Sequence, residues 1–168
     1  MDSGCRRSSA TVLRVTTREH PALIADTHLL LARQDGRVLL LVRANTGYMD
    51  GHASLPAGHV EAGEPADAAA IREAKEEIGV VVDPADVSFA HVMHRRTPGE
   101  PGARVSFFFS ARRWMGEVVN AEPHKCSGLI WADPADLVGS TGGVPVVGYV
   151  SAAMAAIGAG EGFIAHGW

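Results

Sequence analysis

Residues 72–77, Arg-Glu-Ala-Lys-Glu-Glu, constrain this chain more than any other stretch. A helix from Pro65 to about Ile78 would put Glu73 four positions before Glu77 and three before Glu76. Those spacings gather all three carboxylates on one face of adjoining turns. Like charges so placed repel and weaken a helix. The arrangement is best tolerated around a cation, and hard divalent ions such as Mg²⁺ take oxygen ligands. The helix has clear ends. Pro65 suits a first helical position, with Glu64 at the positive N-terminal end. Ala68, Ala69, Ile71, Ala74 and Ile78 form its apolar side, and Gly79 stops it.

Around this segment the pattern is mainly strands. Residues 22–33 and 38–43 are apolar runs separated by a turn containing Asp35-Gly36, which predicts a hairpin. Residues 44–52 form a turn-rich loop. After the helix come a short strand at 80–82 and two longer ones at 87–96 and 104–113. A polar connection over 116–125 leads to a strand at 128–132. Asp133-Pro134 opens a short capped helix. A Gly-rich loop, a last helix over 146–157 and a tail complete the chain. The order β-β-β-α-β-β-β-α predicts an α/β fold in which helices pack on a mixed sheet.

Bulk properties set the function classes. The 168 residues, 46% hydrophobic and 20% charged, suit one soluble domain. A net charge of −4 without a basic run argues against an extended duplex nucleic-acid surface. No apolar run is long enough to span a membrane. Arg6 and Arg7 lack a following apolar region, so no secretory signal is expected. Cys5 and Cys126 lie far apart without metal-type spacing, which fits a reducing, cytoplasmic compartment. Residues 1–21 read as a flexible N-terminal segment, 22–160 as the domain and 161–168 as a C-terminal tail.

Gly58, five residues, Glu64, seven residues, and then Arg72-Glu73-Ala74-Lys75-Glu76-Glu77-Ile78-Gly79-Val80 resemble the Nudix box at every defined position. Ala74 is the weakest fit to a hydrophobic slot. The resemblance extends over about residues 22–160. It implies the Nudix-type α/β/α sandwich with a mixed β-sheet. It also implies hydrolysis of a nucleoside diphosphate linked to another group, with Mg²⁺, or Mn²⁺ in its place, as cofactor. A (modified) nucleoside triphosphate, giving a monophosphate and pyrophosphate, is the expected substrate. ADP-ribose or a nucleotide sugar is the alternative, and a catalytically silent nucleotide sensor a third reading. A homodimer is a family-level expectation.

The resemblance also assigns site residues. Glu76 and Glu77 are implied metal ligands, with Gly58 contributing its carbonyl. Glu73 either binds metal or activates water, and Arg72 orients a neighbouring carboxylate. Glu64 has a supporting part. A further carboxylate is expected after the box, where Glu122 is the first candidate and Glu117 the second. Similar chains carry a second glutamate where His124 stands here.

For the substrate, the candidates are Arg43, His91, Trp131 and Asp133. Arg43 ends a strand beside the turn-rich loop and can take a phosphate bidentately. Arg33, Arg95, Arg96 and Arg104 are further phosphate candidates. His91 and His94 are three apart on a strand, so at most one faces the cleft. His59 follows Gly58, and His52 lies in the turn-rich loop. Trp131 either stacks on a nucleobase or belongs to the core. Asp133 could read amino groups.

Overall fold

The structure, a computed structural model, describes residues 22–100 and 102–168. The N-terminal segment 1–21, with Cys5, lies outside the described residues, as does Pro101. In chain order the elements are β1 (Leu23–Leu31), β2 (Val38–Arg43), β3 (Ala53–Ser54), β4 (Ala57–His59) and α1 (Ala66–Ile78). There follow β5 (Val87–Arg95), β6 (Ala103–Ala111), β7 (Cys126–Ala132), β8 (Ser140–Thr141), β9 (Val144–Pro145), α2 (Gly148–Gly158) and β10 (Phe163–His166). Two short 3-10 helices, Pro84–Asp86 and Pro134–Leu137, start at Asp83 and Asp133, whose carboxylates accept the N–H of Ala85 and Ala135.

The main sheet is mixed and ordered β10-β5-β6-β1-β4. In it β1 runs parallel to β6 and antiparallel to β4, and β5 is antiparallel to β6. A second sheet, β3-β2-β7, is antiparallel. Alternation along β1 serves both faces. Leu29 and Leu31 join Leu39, Phe109 and the α1 residues Ala70, Ala74 and Ile78 in one core cluster. Leu30 joins Leu40, Phe108, Met93 and the α2 residues Val150, Ala153 and Met154 in the other. The helices therefore cover separate hydrophobic cores, which makes the α/β sandwich.

Three expectations change. The turn at Asp35-Gly36 forms, with Gly36 at φ 85° and the Arg33 N–H donating to the Arg37 carbonyl at 2.9 Å. The flanking strands nevertheless part after a single bridge, Ala32 to Val38. Both edges of β1 are occupied, by β4 and β6, so β2 must find its partners in the second sheet. Residues 80–82 hold one isolated bridge, Val81 to Met115, rather than a strand in a sheet. The C-terminal stretch, read as a tail, contains β10, which adds in parallel to β5. The Trp168 indole N–H donates to the His94 carbonyl at 3.0 Å and fastens this end. No described helix is long and apolar enough to cross a membrane.

Candidate active site

The 13 residues of α1 run from Ala66 to Ile78, ending where the sequence predicts and starting one residue later, because Pro65 is extended and stands at the N-cap. Gly79 takes the left-handed conformation, φ 73°, and its N–H donates to the Lys75 carbonyl. Ala69, Ala70, Ala74 and Ile78 are buried, and Glu73 and Glu77 project between Ala69 and Ala74 on the same inward-facing side, while Lys75 faces away. Small alanines let the helix lie close to the sheet, and β4 brings its backbone against the acidic side. The Ala57 N–H donates to Glu77 Oε2 at 2.9 Å. The Glu73 carboxylate lies against Gly58, where a Cβ would overlap it far inside van der Waals contact.

Arg72 organises the rest. One terminal nitrogen of its guanidinium donates to Glu73 Oε1 at 2.7 Å and to Glu76 Oε2 at 3.3 Å. The other donates to Glu64 Oε1 at 2.8 Å and to the His59 carbonyl at 3.0 Å. Glu64 in turn accepts the Glu61 N–H at 2.9 Å. A planar five-donor fork is the side chain suited to bridging several oxygens at once.

Charge is not balanced everywhere. The Arg72 hydrogen bond holds the Glu64 carboxyl below its ordinary range. Burial pushes the Glu73 carboxyl up against the opposing pull of Arg72, and Glu76 and Glu122 add to the rise. Burial drives Glu77 further, to about 8, with Glu73 and Glu122 repelling its charge and the Ala57 N–H only partly offsetting them. A buried carboxylate facing other carboxylates keeps its proton unless a cation arrives.

Arg72→Lys should lower turnover about tenfold or more, because one ammonium cannot bridge these oxygens in the same geometry. The thermal midpoint should fall by only a few degrees, since the ion pairs are partly exposed. Steady-state kinetics and a melting curve on the same preparation check both numbers. Unchanged turnover would remove Arg72 from the positioning of Glu73.

Arg72, Glu73, Glu76, Glu77 and Gly58 line one cleft of about 770 Å³. Glu122 reaches it from the 112–125 connection, paired with Lys125 Nζ at 2.8 Å, whereas Glu117 does not line it. The Glu77 carbonyl accepts the Ala121 N–H at 3.0 Å, which draws that connection onto the C-terminal turn of α1. Arg43 also lines the cleft, its Nε donating to the Tyr48 carbonyl at 2.9 Å and a terminal nitrogen to Thr46 Oγ1 at 3.1 Å. The 44–52 loop therefore positions its guanidinium.

Three substrate candidates stand elsewhere. His91 is fully buried, its Nδ1 2.8 Å from the Glu161 carbonyl and its ring against Phe108. A bulge between Phe89 and His91 shifts the β5 register there. Trp131 packs at the α1-side core, stacked on Trp114 with the Arg33 guanidinium 3.9 Å from its ring centroid. Asp133 is occupied as a cap of the 3-10 helix. None of the three lines the cleft. The core alternative for Trp131 is the one its packing matches.

The cleft is also lined by Asp26, His28, Arg95 and Tyr149, of which the sequence singles out only Arg95. Asp26 and His28 flank Thr27, a run of three polar residues inside a strand that is apolar on either side. That was the available signal, because buried polar side chains need a reason. Arg104 links these residues to β4, 3.0 Å from His59 Nε2 and 3.5 Å from Asp26 Oδ2.

The donor set can be weighed against a divalent ion. Among the described residues, no three His, Cys, Asp or Glu side chains converge as a ready-made cage. The chemistry nevertheless fits. Glu73, Glu76, Glu77 and Glu122 are hard oxygen donors on one cleft, and the raised Glu77 carboxyl reflects crowded negative charge that a cation would relieve.

Comparison with known proteins agrees with this geometry. Residues 23–151 match the family model described as NUDIX domain, and the chain belongs to the Nudix family, whose hydrolases are pyrophosphohydrolases. Over 62 residues it is 39% identical to an ADP-ribose pyrophosphatase of Methanocaldococcus jannaschii, covering 37% of this chain and 34% of that protein. The match thus spans about a third of the relative's length. A MutT Nudix hydrolase from Burkholderia pseudomallei superposes with a TM-score of 0.69 at 24% identity, over 80% of this chain and 97% of the other. A MutT protein from Methanosarcina mazei Go1 gives 0.68 at 18%, over 85% and 98%. An Ap4A hydrolase of C. elegans gives 0.58 at 19%, over 82% and 96%. At such identities these structures establish the shared fold.

Proposed function

We propose that this chain hydrolyses a pyrophosphate bond in a nucleoside diphosphate linked to another group, with Mg²⁺ held by Glu73, Glu76, Glu77 and Glu122. The favoured substrate is a (modified) nucleoside triphosphate, yielding a monophosphate and pyrophosphate. One observation carries the reading: the box carboxylates and Glu122 share a cleft with Arg43 and Arg104, so ligands for a metal and cations for phosphates face one space. The bound ion would neutralise phosphate charge and lower the pKa of a coordinated water.

The chain's own residues supply the remainder. Arg72 orients Glu73 and Glu76, and the Ala57 N–H fixes Glu77. Arg43, already fixed by its loop, presents charge to a phosphate without first being ordered. The Gly58 carbonyl is the further metal ligand. The free buried Cys126 accords with a reducing, cytoplasmic setting. The named ADP-ribose pyrophosphatase relative favours ADP-ribose or a nucleotide sugar as the second reading.

A nucleotide panel tests this directly. With Mg²⁺ and a coupled phosphate assay, nucleoside triphosphates should be turned over, and excess EDTA should abolish the activity. Release of pyrophosphate rather than single phosphates should accompany it. Faster turnover of ADP-ribose than of every triphosphate would select the second reading. No turnover on any member would overturn the enzymatic assignment.

A further inference from the structure

Lys75 and Lys125 are the only lysines among the 15 Lys and Arg residues of the chain. Lys75 is exposed on the outer side of α1, and Lys125 lines the cleft. The Lys125 Nζ donates to Glu122 Oε1 at 2.8 Å, three residues back in the same turn. The backbone of that turn is pinned on several sides. The Glu122 carbonyl accepts the N–H of Lys125 at 2.9 Å and that of Cys126 at 3.0 Å. The Lys125 carbonyl accepts the Ala44 N–H at 2.8 Å, and the His124 carbonyl accepts Asn45 Nδ2 at 3.2 Å. Asn120 Nδ2 donates to the Cys126 carbonyl at 2.7 Å. One fixed turn therefore delivers a carboxylate and its cation to the cleft together.

The two cations beside the acidic helix are held differently. Arg72 bridges Glu64, Glu73, Glu76 and the His59 carbonyl, and releasing it would break all of these contacts at once. Among the described residues, the Lys125 ammonium bonds only Glu122. Its side chain is 53% exposed and that of Glu122 23%, so water can replace either partner and the pair adds little to folding stability. The bond to Glu122 above all, with the charges of Glu77 and Glu73 behind it, holds the Lys125 ammonium above the ordinary lysine range. Its charge thus acts on three of the four carboxylates on the cleft. An ammonium on a four-carbon stem is a compact point charge that needs no fork geometry, so it can leave and return without rearranging the backbone.

We propose that Lys125 is an exchangeable counter-ion of the acidic cleft: its ammonium and a divalent cation compete for Glu122, so Lys125 holds that carboxylate in place beforehand and moderates the affinity for the metal. A carboxylate bonded to an ammonium offers less negative charge to a second cation, and the two cations repel each other at close range. Lys125 swings toward solvent when Glu122 turns to the metal, and the pinned turn stays as it is. Arg72 is the permanent brace of the cluster and Lys125 the removable one. Lys125 is a positioning residue for Glu122 in this assignment and touches neither metal nor reacting atoms. The inference rests on the metal reading of the cleft, but it is measured by ion binding without substrate or turnover.

The test uses the full chain and Mn²⁺, whose free-ion paramagnetic resonance signal reports binding directly. Lys125→Met keeps most of the side chain's length and removes its charge, and should tighten Mn²⁺ binding about tenfold. Lys125→Arg keeps the charge and should bind the ion no tighter than wild type. In a Glu122→Gln background, Lys125→Met should change the affinity by less than about twofold, because the carboxylate under competition is gone. A second readout follows the ammonium itself. Reductive ¹³C-methylation preserves the charge of both lysines, and the Lys125→Met variant assigns their signals. On addition of Mg²⁺ the Lys125 signal should shift and the Lys75 signal should stay.

An unchanged or weaker affinity in Lys125→Met, with wild type binding the ion, would overturn the exchange and leave the metal site standing. Equal tightening with and without the Glu122 carboxylate would also overturn it, since the charge would then act at a distance and not by competition. Ion binding by neither wild type nor Lys125→Met would overturn the metal reading itself, and this inference with it.

Discussion

Glu77→Gln will abolish most turnover and, in EDTA at pH 8 and above, raise the thermal midpoint of the protein. The two effects have one cause. Glu77 is buried against Glu73 and Glu122, which lifts its carboxyl from an ordinary 4.5 to about 8. A folded-state value above the unfolded one means that the native chain binds this proton more tightly. The stabilisation is complete below about 4.5 and is lost as the pH rises through about 8, amounting to a few kcal/mol at most. Glutamine has the same shape, keeps an oxygen for the Ala57 N–H and carries no charge, so that loss disappears. It also removes the negative charge that a divalent ion requires.

Melting curves from pH 5 to 9 in EDTA should converge at low pH and separate at high pH, with the variant more stable. Adding Mg²⁺ at pH 8 should raise the wild-type midpoint by several degrees and the variant's by much less. Turnover should fall at least a hundredfold. A variant as active as wild type would take Glu77 out of the metal site. Parallel pH curves would show that its carboxyl is not perturbed.

Gly58→Ala should also be nearly inactive while remaining folded. The backbone conformation at Gly58 is not left-handed, so strain is not the issue. The added methyl would meet the Glu73 carboxylate, the mobile end of a side chain rather than a rigid wall. Glu73 can swing away, which limits the stability cost to about 1–2 kcal/mol. Swinging away breaks its 2.7 Å bond to Arg72 and moves it off the position that the site uses. A displacement of about 1 Å is enough to cost about a hundredfold in rate. A midpoint within a few degrees of wild type, with turnover down about a hundredfold, is the expected pair of results. Full activity would show that the close approach at Gly58 has no catalytic use.

The helix at the centre of the site was legible because its information is local. Pro65, the alanine-rich side, Gly79 and the carboxylate spacing lie within one stretch of 15 residues, 65–79. The Arg72–Glu76 pair also follows from helical spacing of four, whereas the Arg72–Glu73 link, between adjacent residues, does not. What failed concerns choice of partner. The Asp35-Gly36 turn was correct, but a turn does not determine which strands pair after it. The edges of β1 were taken by β4 and by β6, a strand more than 70 residues away in sequence. The end strand β10 has four residues and a weak pattern, so its pairing with β5 supplies most of the case for it.

Site residues outside the helix show the same division. Arg43 and Glu122 reach the cleft, His91, Trp131 and Asp133 do not. Side-chain alternation states that His91 and His94 face opposite ways, but not which face borders the cleft. The capping role of Asp133 was visible in Asp133-Pro134, yet a capping carboxylate has its acceptor already engaged. Asp26 and His28 were visible as polar interruptions of β1. Their meaning depends on Arg95 and Tyr149, which come from two other parts of the chain.

By itself, then, the sequence determined the acidic helix, its ends, the register of Gly58, Glu64 and Arg72 with it, and the family to which these belong. Those features follow from spacing along one helix and the loop before it. Tertiary structure alone decided that β4 brings Ala57 and Gly58 against Glu77 and Glu73, and that Glu122 joins them. It also placed the buried Asp26, His28 and Ser54 along the same cleft. Each of those depends on contacts between distant segments, where burial and hydrogen bonding of the whole sheet select among pairings that local pattern leaves equal.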